Sequence, residues 1–121
     1  MKHILLITSP QKKFTEFVDG LTRGKTVDVI RTGSSKEALE GLSDATPDLV
    51  IIDEEVGGTP GLKIAHDILM KNAMVNQVLV SSLSSDEFHE ASEGLGIMLQ
   101  LPPEPDAAQA EIVLKTLRKM P

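Results

Sequence analysis

The sequence predicts an α/β fold in which five parallel strands form one doubly wound sheet and alternate with five helices in a (βα)5 order. Three observations carry this. Short apolar runs rich in β-branched residues recur along the 121 residues, segments with helical spacing lie between them, and most of those segments begin with helix-starting residues. Continuous apolar runs suit strands covered on both faces. Right-handed crossovers then give an open sheet with helices on either side. The length fits one domain, 1–121, with a core of its own.

The strands are read at "HILLIT" (3–8), "TVDVIR" (26–31), "DLVIID" (48–53), "QVLVSS" (77–82) and "GIMLQL" (96–101). After the first, Phe14, Phe17, Val18 and Leu21 make an apolar stripe at helical spacing, with Ser9 as N-cap and Pro10 at the first helical position. Ala38, Leu39 and Leu42 mark the second helix, which Ser34 and Glu37 open as a capping box. Leu62, Ala65, Ile68 and Leu69 mark the third, started by Thr59 and Pro60. Ala110, Val113, Leu114 and Leu117 mark the last, opened by Asp106 and Gln109. Lys115, Arg118 and Lys119 close it where the helix dipole favours cations. Met70, Met74 and Met98 are expected in or near the core.

Composition excludes several functions. A net charge of −6 leaves no basic patch to neutralise phosphates, so neither nucleic acid nor an anionic membrane is an expected partner. Three phenylalanines are the only aromatics, too few for base stacking. No apolar stretch is long enough to span a bilayer. There is no cysteine, so disulfides and thiolate chemistry are absent and a cytoplasmic location is the expectation. His3, His66 and His89 are scattered without ligand spacing.

In a sheet of this kind ligands bind beyond the carboxyl ends of the strands, at the switch in strand order. The residues delivered there are Thr8 and Ser9, then Asp53 with Glu54 and Glu55, Ser82 with Leu83, and Leu101 before Pro102. No glycine-rich nucleotide motif follows any strand; "VGGTPG" lacks both the lysine and the spacing.

The stretch "PDLVIIDEEVGGTPGLKIAHDIL" resembles the third strand and third helix of a response-regulator receiver domain of the chemotaxis type, with Asp53 at the phosphoacceptor position and Gly61-Leu62 eight and nine residues on. The resemblance extends over the whole chain and implies a flavodoxin-like receiver fold in two-component signalling or a phosphorelay. Ser82 corresponds to the family's switch Thr or Ser, and Met98 to the aromatic it couples to. "EGLGIMLQLPP" is similar to the stretch that ends in Lys-Pro, and the shorter spacing before it implies a truncated fourth helix near 85–93.

The departures fall on the chemistry. In the family an acidic pair after the first strand joins the phosphoacceptor in holding Mg2+, and a lysine before the last proline pairs with the phosphoryl group. Here those positions are Thr8, Ser9 and Leu101. Mg2+ prefers carboxylate oxygens, and the metal offsets charge as phosphoryl reaches an anionic acid. Positioned charges of this kind contribute about 3–4 kcal/mol each to such a step. Asp53 with Glu55 remains a weak possible metal pair.

The expectation is a degenerate receiver, or pseudo-receiver, that is not an enzyme and needs no cofactor. It would act through a protein partner: a histidine kinase, an output protein or a second copy. The surface implied by the resemblance is formed by the fourth helix, fifth strand and fifth helix, with Ile112 exposed on it. Two alternatives stand beside it: a working phosphoacceptor modified on Asp53, and a small-ligand sensor that uses the neutral rim of Thr8, Ser9, Ser82 and Leu101.

Overall fold

A computed structural model of the chain describes residues 1–9, 14–44 and 46–120, the side chains at 43 and 44 excepted. Its elements are β1 (Lys2–Ile7), α1 (Thr15–Thr22), β2 (Val27–Thr32), α2 (Ser35–Asp44), β3 (Leu49–Ile52), β4 (Glu55–Val56), β5 (Thr59–Pro60), α3 (Gly61–Lys71), β6 (Gln77–Val80), α4 (Ser85–Ala91), β7 (Ile97–Leu101) and α5 (Ala107–Lys119). The five longer strands form one parallel sheet in the order β2-β1-β3-β6-β7. The chain moves outward from β1 to β2, then returns across β1 to β3. The switch therefore lies between the carboxyl ends of β1 and β3.

Alternation along the central strand divides the core in two. Leu49 and Ile51 of β3 join Phe17 and Leu21 of α1 with Ala110, Val113 and Leu117 of α5 on one face. Val50 and Ile52 join Ala38 and Leu42 of α2, Ile64 and Ile68 of α3 and Phe88 of α4 on the other. All four β3 residues are fully buried, as a run without polar alternation requires.

Two helix starts differ from expectation. α1 begins at Thr15 behind Phe14, whose left-handed φ of 47° turns the chain into the helix, so Ser9 is not its cap. The predicted first position, Pro10, lies outside the described residues. α3 begins at Gly61 rather than Pro60, because Thr59 and Pro60 are taken up by a small antiparallel ribbon with Glu55 and Val56. Gly57 and Gly58 turn that ribbon with φ of 57° and 83°. Positive φ at both residues of a two-residue turn is the hairpin geometry that Gly-Gly permits.

The methionines also correct the sequence expectation: Met70 is 72%, Met74 84% and Met98 42% exposed. Met70 stands two residues beyond Ile68, ~200° round the helix from the core side. Met74 follows the end of α3, and Met98 sits at the irregular start of an edge strand. Ile64, which the predicted stripe omitted, fills the α3 core position instead. No helix among the described residues is long and apolar enough to cross a membrane.

Candidate functional site

β1 and β3 deliver Thr8 and Asp53 side by side at the switch. The Thr8 N–H donates to the Thr32 carbonyl at 3.0 Å and the Asp53 N–H to the Ile7 carbonyl at 2.9 Å, so both residues continue the sheet beyond its last assigned pairs. Asp53 is fully buried and Thr8 nearly so. The Thr8 hydroxyl donates to Asp53 Oδ2 at 3.0 Å, and the Glu54 N–H donates to Oδ1 at 2.7 Å. A buried carboxylate needs such donors, because desolvation without them costs several kcal/mol.

Glycine at 61 makes the approach possible. The Gly61 N–H donates to the Glu54 carbonyl at 2.7 Å. A Cβ there would collide with the Asp53 carbonyl oxygen and come within 2.8 Å of Leu79 Cδ1.

Glu54 turns the other way. Its Oε2 accepts from the Ser82 N–H at 2.6 Å and from the Ser82 hydroxyl at 2.7 Å, joining the ends of β3 and β6 by two charge-assisted bonds. Farther along the rim, the Gln100 amide donates to the Ser81 carbonyl at 3.3 Å and to the Leu83 carbonyl at 2.8 Å. Ser81, not Ser82, is the buried serine of this loop, and its Oγ accepts from the Leu83 N–H at 3.2 Å.

The predicted site residues therefore separate. Thr8 and Asp53 are brought together, and Ser82 reaches the site through Glu54. Ser9 is half-buried without being a helix cap. Glu55 is exposed in the ribbon while Asp53 is buried, and no group of three or more side chains suited to a metal forms among the described residues. Leu101 is 1% exposed and belongs to the core cluster beneath the rim.

Ser82 does not face Met98. Val78 pairs with Leu99, and the register slips at Gln77/Val78, so Met98 lies about four residues from Ser82, ~13 Å along the strand. It is Gln100, not Met98, that reaches the loop carrying Ser82, through the Ser81 and Leu83 carbonyls. Ile112 is 47% exposed, on the side of α5 away from Ala110, Val113 and Leu117.

The fold has close structural counterparts. The chemotaxis response regulator CheY4 of Vibrio cholerae superposes with a TM-score of 0.81 at 15% identity, over 97% of this chain and 98% of that one. The fold is that of a receiver domain. A CheY-like receiver domain from Methylobacillus flagellatus matches the receiver fold here with a TM-score of 0.78 at 20% identity, over 97% and 98% of the two chains. A response regulator from Thermotoga maritima, solved in complex with Mg2+-BeF, matches with a TM-score of 0.74 at 20% identity, over 97% and 99%. No protein-family model and no curated protein matches the chain.

Sequence reasoning placed Glu54 at the strand-end rim without its partner Ser82, and it missed one helix cap. Glu54 carried a signal only as a carboxylate next to a strand end, and nothing in one dimension shows which way it leaves. Ser84 and Glu87 form a complete capping box at the start of α4, and their serine-to-glutamate spacing was legible but passed over.

Proposed function

We propose that this chain is a degenerate receiver, a two-component signalling module that works by binding a protein partner and not by conventional Mg2+-dependent phosphorylation of Asp53. The observation that carries this is the Thr8 hydroxyl bonded to the buried Asp53 carboxylate, at the place where the resemblance puts metal-binding acids. The donor set fits Mg2+ poorly. Thr8 offers a hydroxyl that is already directed at Asp53, the Glu54 carboxylate is committed to Ser82, and the Glu55 side chain is exposed. A hard cation that demands near-octahedral oxygen geometry gains little from such a set. At the last strand Leu101 supplies packing where a lysine would supply charge. On this reading the protein has no catalytic turnover and no resident cofactor.

The retained Asp53, at the end of the central strand, favours the phosphoacceptor alternative over any other. One experiment separates the two. The chain is incubated with Mg2+ and acetyl phosphate, and in parallel with Mg2+ and beryllofluoride. Intact mass should stay unchanged, and the amide resonances of Thr8, Asp53 and Ser82 should not move. Stoichiometric addition of a phosphoryl group that disappears in Asp53→Asn would defeat the proposal.

A further inference from the structure

A cavity of about 540 Å3, whose lining does not include Asp53, lies between α2 and the β2 edge of the sheet. Its floor is one face of two paired strands, where His3 stands beside Asp28 and Leu5 beside Ile30. Its roof is α2, which presents Ala38, Gly41 and Leu42. Two features show that α2 does not close down on this floor. Ile30 remains 57% exposed although it lies on the covered face. Gly41 has open space around it: a Cβ there would meet nothing within 4 Å. A glycine inside a helix costs about 1 kcal/mol relative to alanine, and no close approach requires it here. What it does is keep the roof open.

Apart from His3, the charged side chains at the rim are carboxylates. Asp28 Oδ2 lies 3.5 Å from His3 Nδ1, and Glu37 Oε2 accepts from the Thr32 hydroxyl at 3.0 Å. No lysine or arginine is among the described residues that line the cavity. The volume is in the range of small-molecule pockets, which pair an apolar wall with a few polar groups that fix orientation.

We infer that this cavity binds a small amphiphilic amine. Its hydrocarbon body covers Leu5, Ile30 and Leu42, and its ammonium head meets a carboxylate of the rim, Asp28 or Glu37. The site is independent of the phosphoacceptor position and stands whether or not Asp53 is modified.

Titration of the full chain with phenethylammonium, followed by amide resonances, tests this. Saturable shifts are expected at Leu5, Ile30 and Gly41 and not at Asp53. Filling the roof with Gly41→Leu should abolish them while the spectrum of β3, β6 and α5 stays that of the folded protein. Asp28→Asn or Glu37→Gln should weaken binding by about tenfold or more, since a charge-assisted hydrogen bond is lost. Phenethyl alcohol, the neutral counterpart, should bind as weakly as that variant. Absence of saturable shifts, or shifts that persist in Gly41→Leu, would overturn the site. Equal binding of the alcohol and the ammonium would overturn the assigned ligand class.

Discussion

At the scale of single residues, the pair Thr8–Asp53 decides what the rim can do. A buried carboxylate is tolerable only while donors satisfy it, and the hydroxyl is one of those donors. Thr8→Val keeps the shape and removes the donor. We expect it to destabilise the protein by about 1–3 kcal/mol, the usual cost of leaving a buried polar group short of a partner. Urea unfolding should show a lower midpoint with an unchanged slope, and Thr8→Ser, which keeps the hydroxyl donor, should escape most of the loss. The sequence made both residues legible as strand-end groups, because strand ends are where a doubly wound sheet presents side chains. It did not reveal their bond, which depends on β1 and β3 being neighbours in space although 45 residues separate the two side chains. The bond of Glu54 was illegible for a related reason. Its partner, Ser82, is 28 residues away, and only the folded rim brings them within 2.7 Å.

At the scale of elements, helix starts show where local signals hold and where packing overrides them. The Asp106–Gln109 box at α5 forms as its spacing predicts. At α2 only half forms: Ser34 Oγ accepts from the Glu37 N–H, but the Glu37 carboxylate goes to Thr32. The α4 box is complete, and it carries a pH dependence. The Ser84 N–H first, and then its hydroxyl, hold the Glu87 carboxyl below its ordinary value of 4.5, with burial opposing. Because the folded value is depressed, the stabilisation is present above 4.5 and is lost as pH falls through the lower folded value. Protection of the amides in the first turn of α4, taken relative to the intrinsic exchange rate at each pH, should therefore fall on acidification across that window. Glu87→Gln should remove the dependence, since an amide oxygen accepts without titrating. α3 is the case where packing wins. Its start is fixed by Gly61 lying against the Asp53 carbonyl, so Gly61→Ala should displace the helix or strain the rim. The expected loss is about 1–3 kcal/mol by thermal or urea unfolding, the range for overpacking a closed site. Periodicity located four of the five helices because each buries a stripe; α4, which buries only Phe88, was legible through the family resemblance and its spacing. It missed the short ribbon of β4 and β5, whose two-residue strands are too brief to show a period, although Gly57-Gly58 was its turn signal.

At the scale of the molecule, the two core clusters use both faces of the sheet, so what remains apolar on the outside is available for association. Ile112 on α5 and Met98 on β7 are 47% and 42% exposed. Met98 shares one hollow with Ser85 and Phe88 of α4 and Ser92 at its C-cap, and a second with Thr116 and Lys119 of α5. It therefore links the two helices into one face, the face that the proposed partner binding would use. Neither side chain contributes to the core clusters, so changing them tests association without testing folding. Ile112→Glu should leave unfolding free energy within about 0.5 kcal/mol, as for surface substitutions generally. The same change places a charge where an interface would have to desolvate it, and an unpaired buried charge costs several kcal/mol. Self-association measured by sedimentation over a concentration series, or capture of a purified cognate kinase or output protein, should then fall by tenfold or more. An Ile112→Glu variant that folds and associates like the parent would move the interface to another face. Met98→Glu then distinguishes a contact confined to α5, which it would leave intact, from one that spans α4, β7 and α5, which it would break.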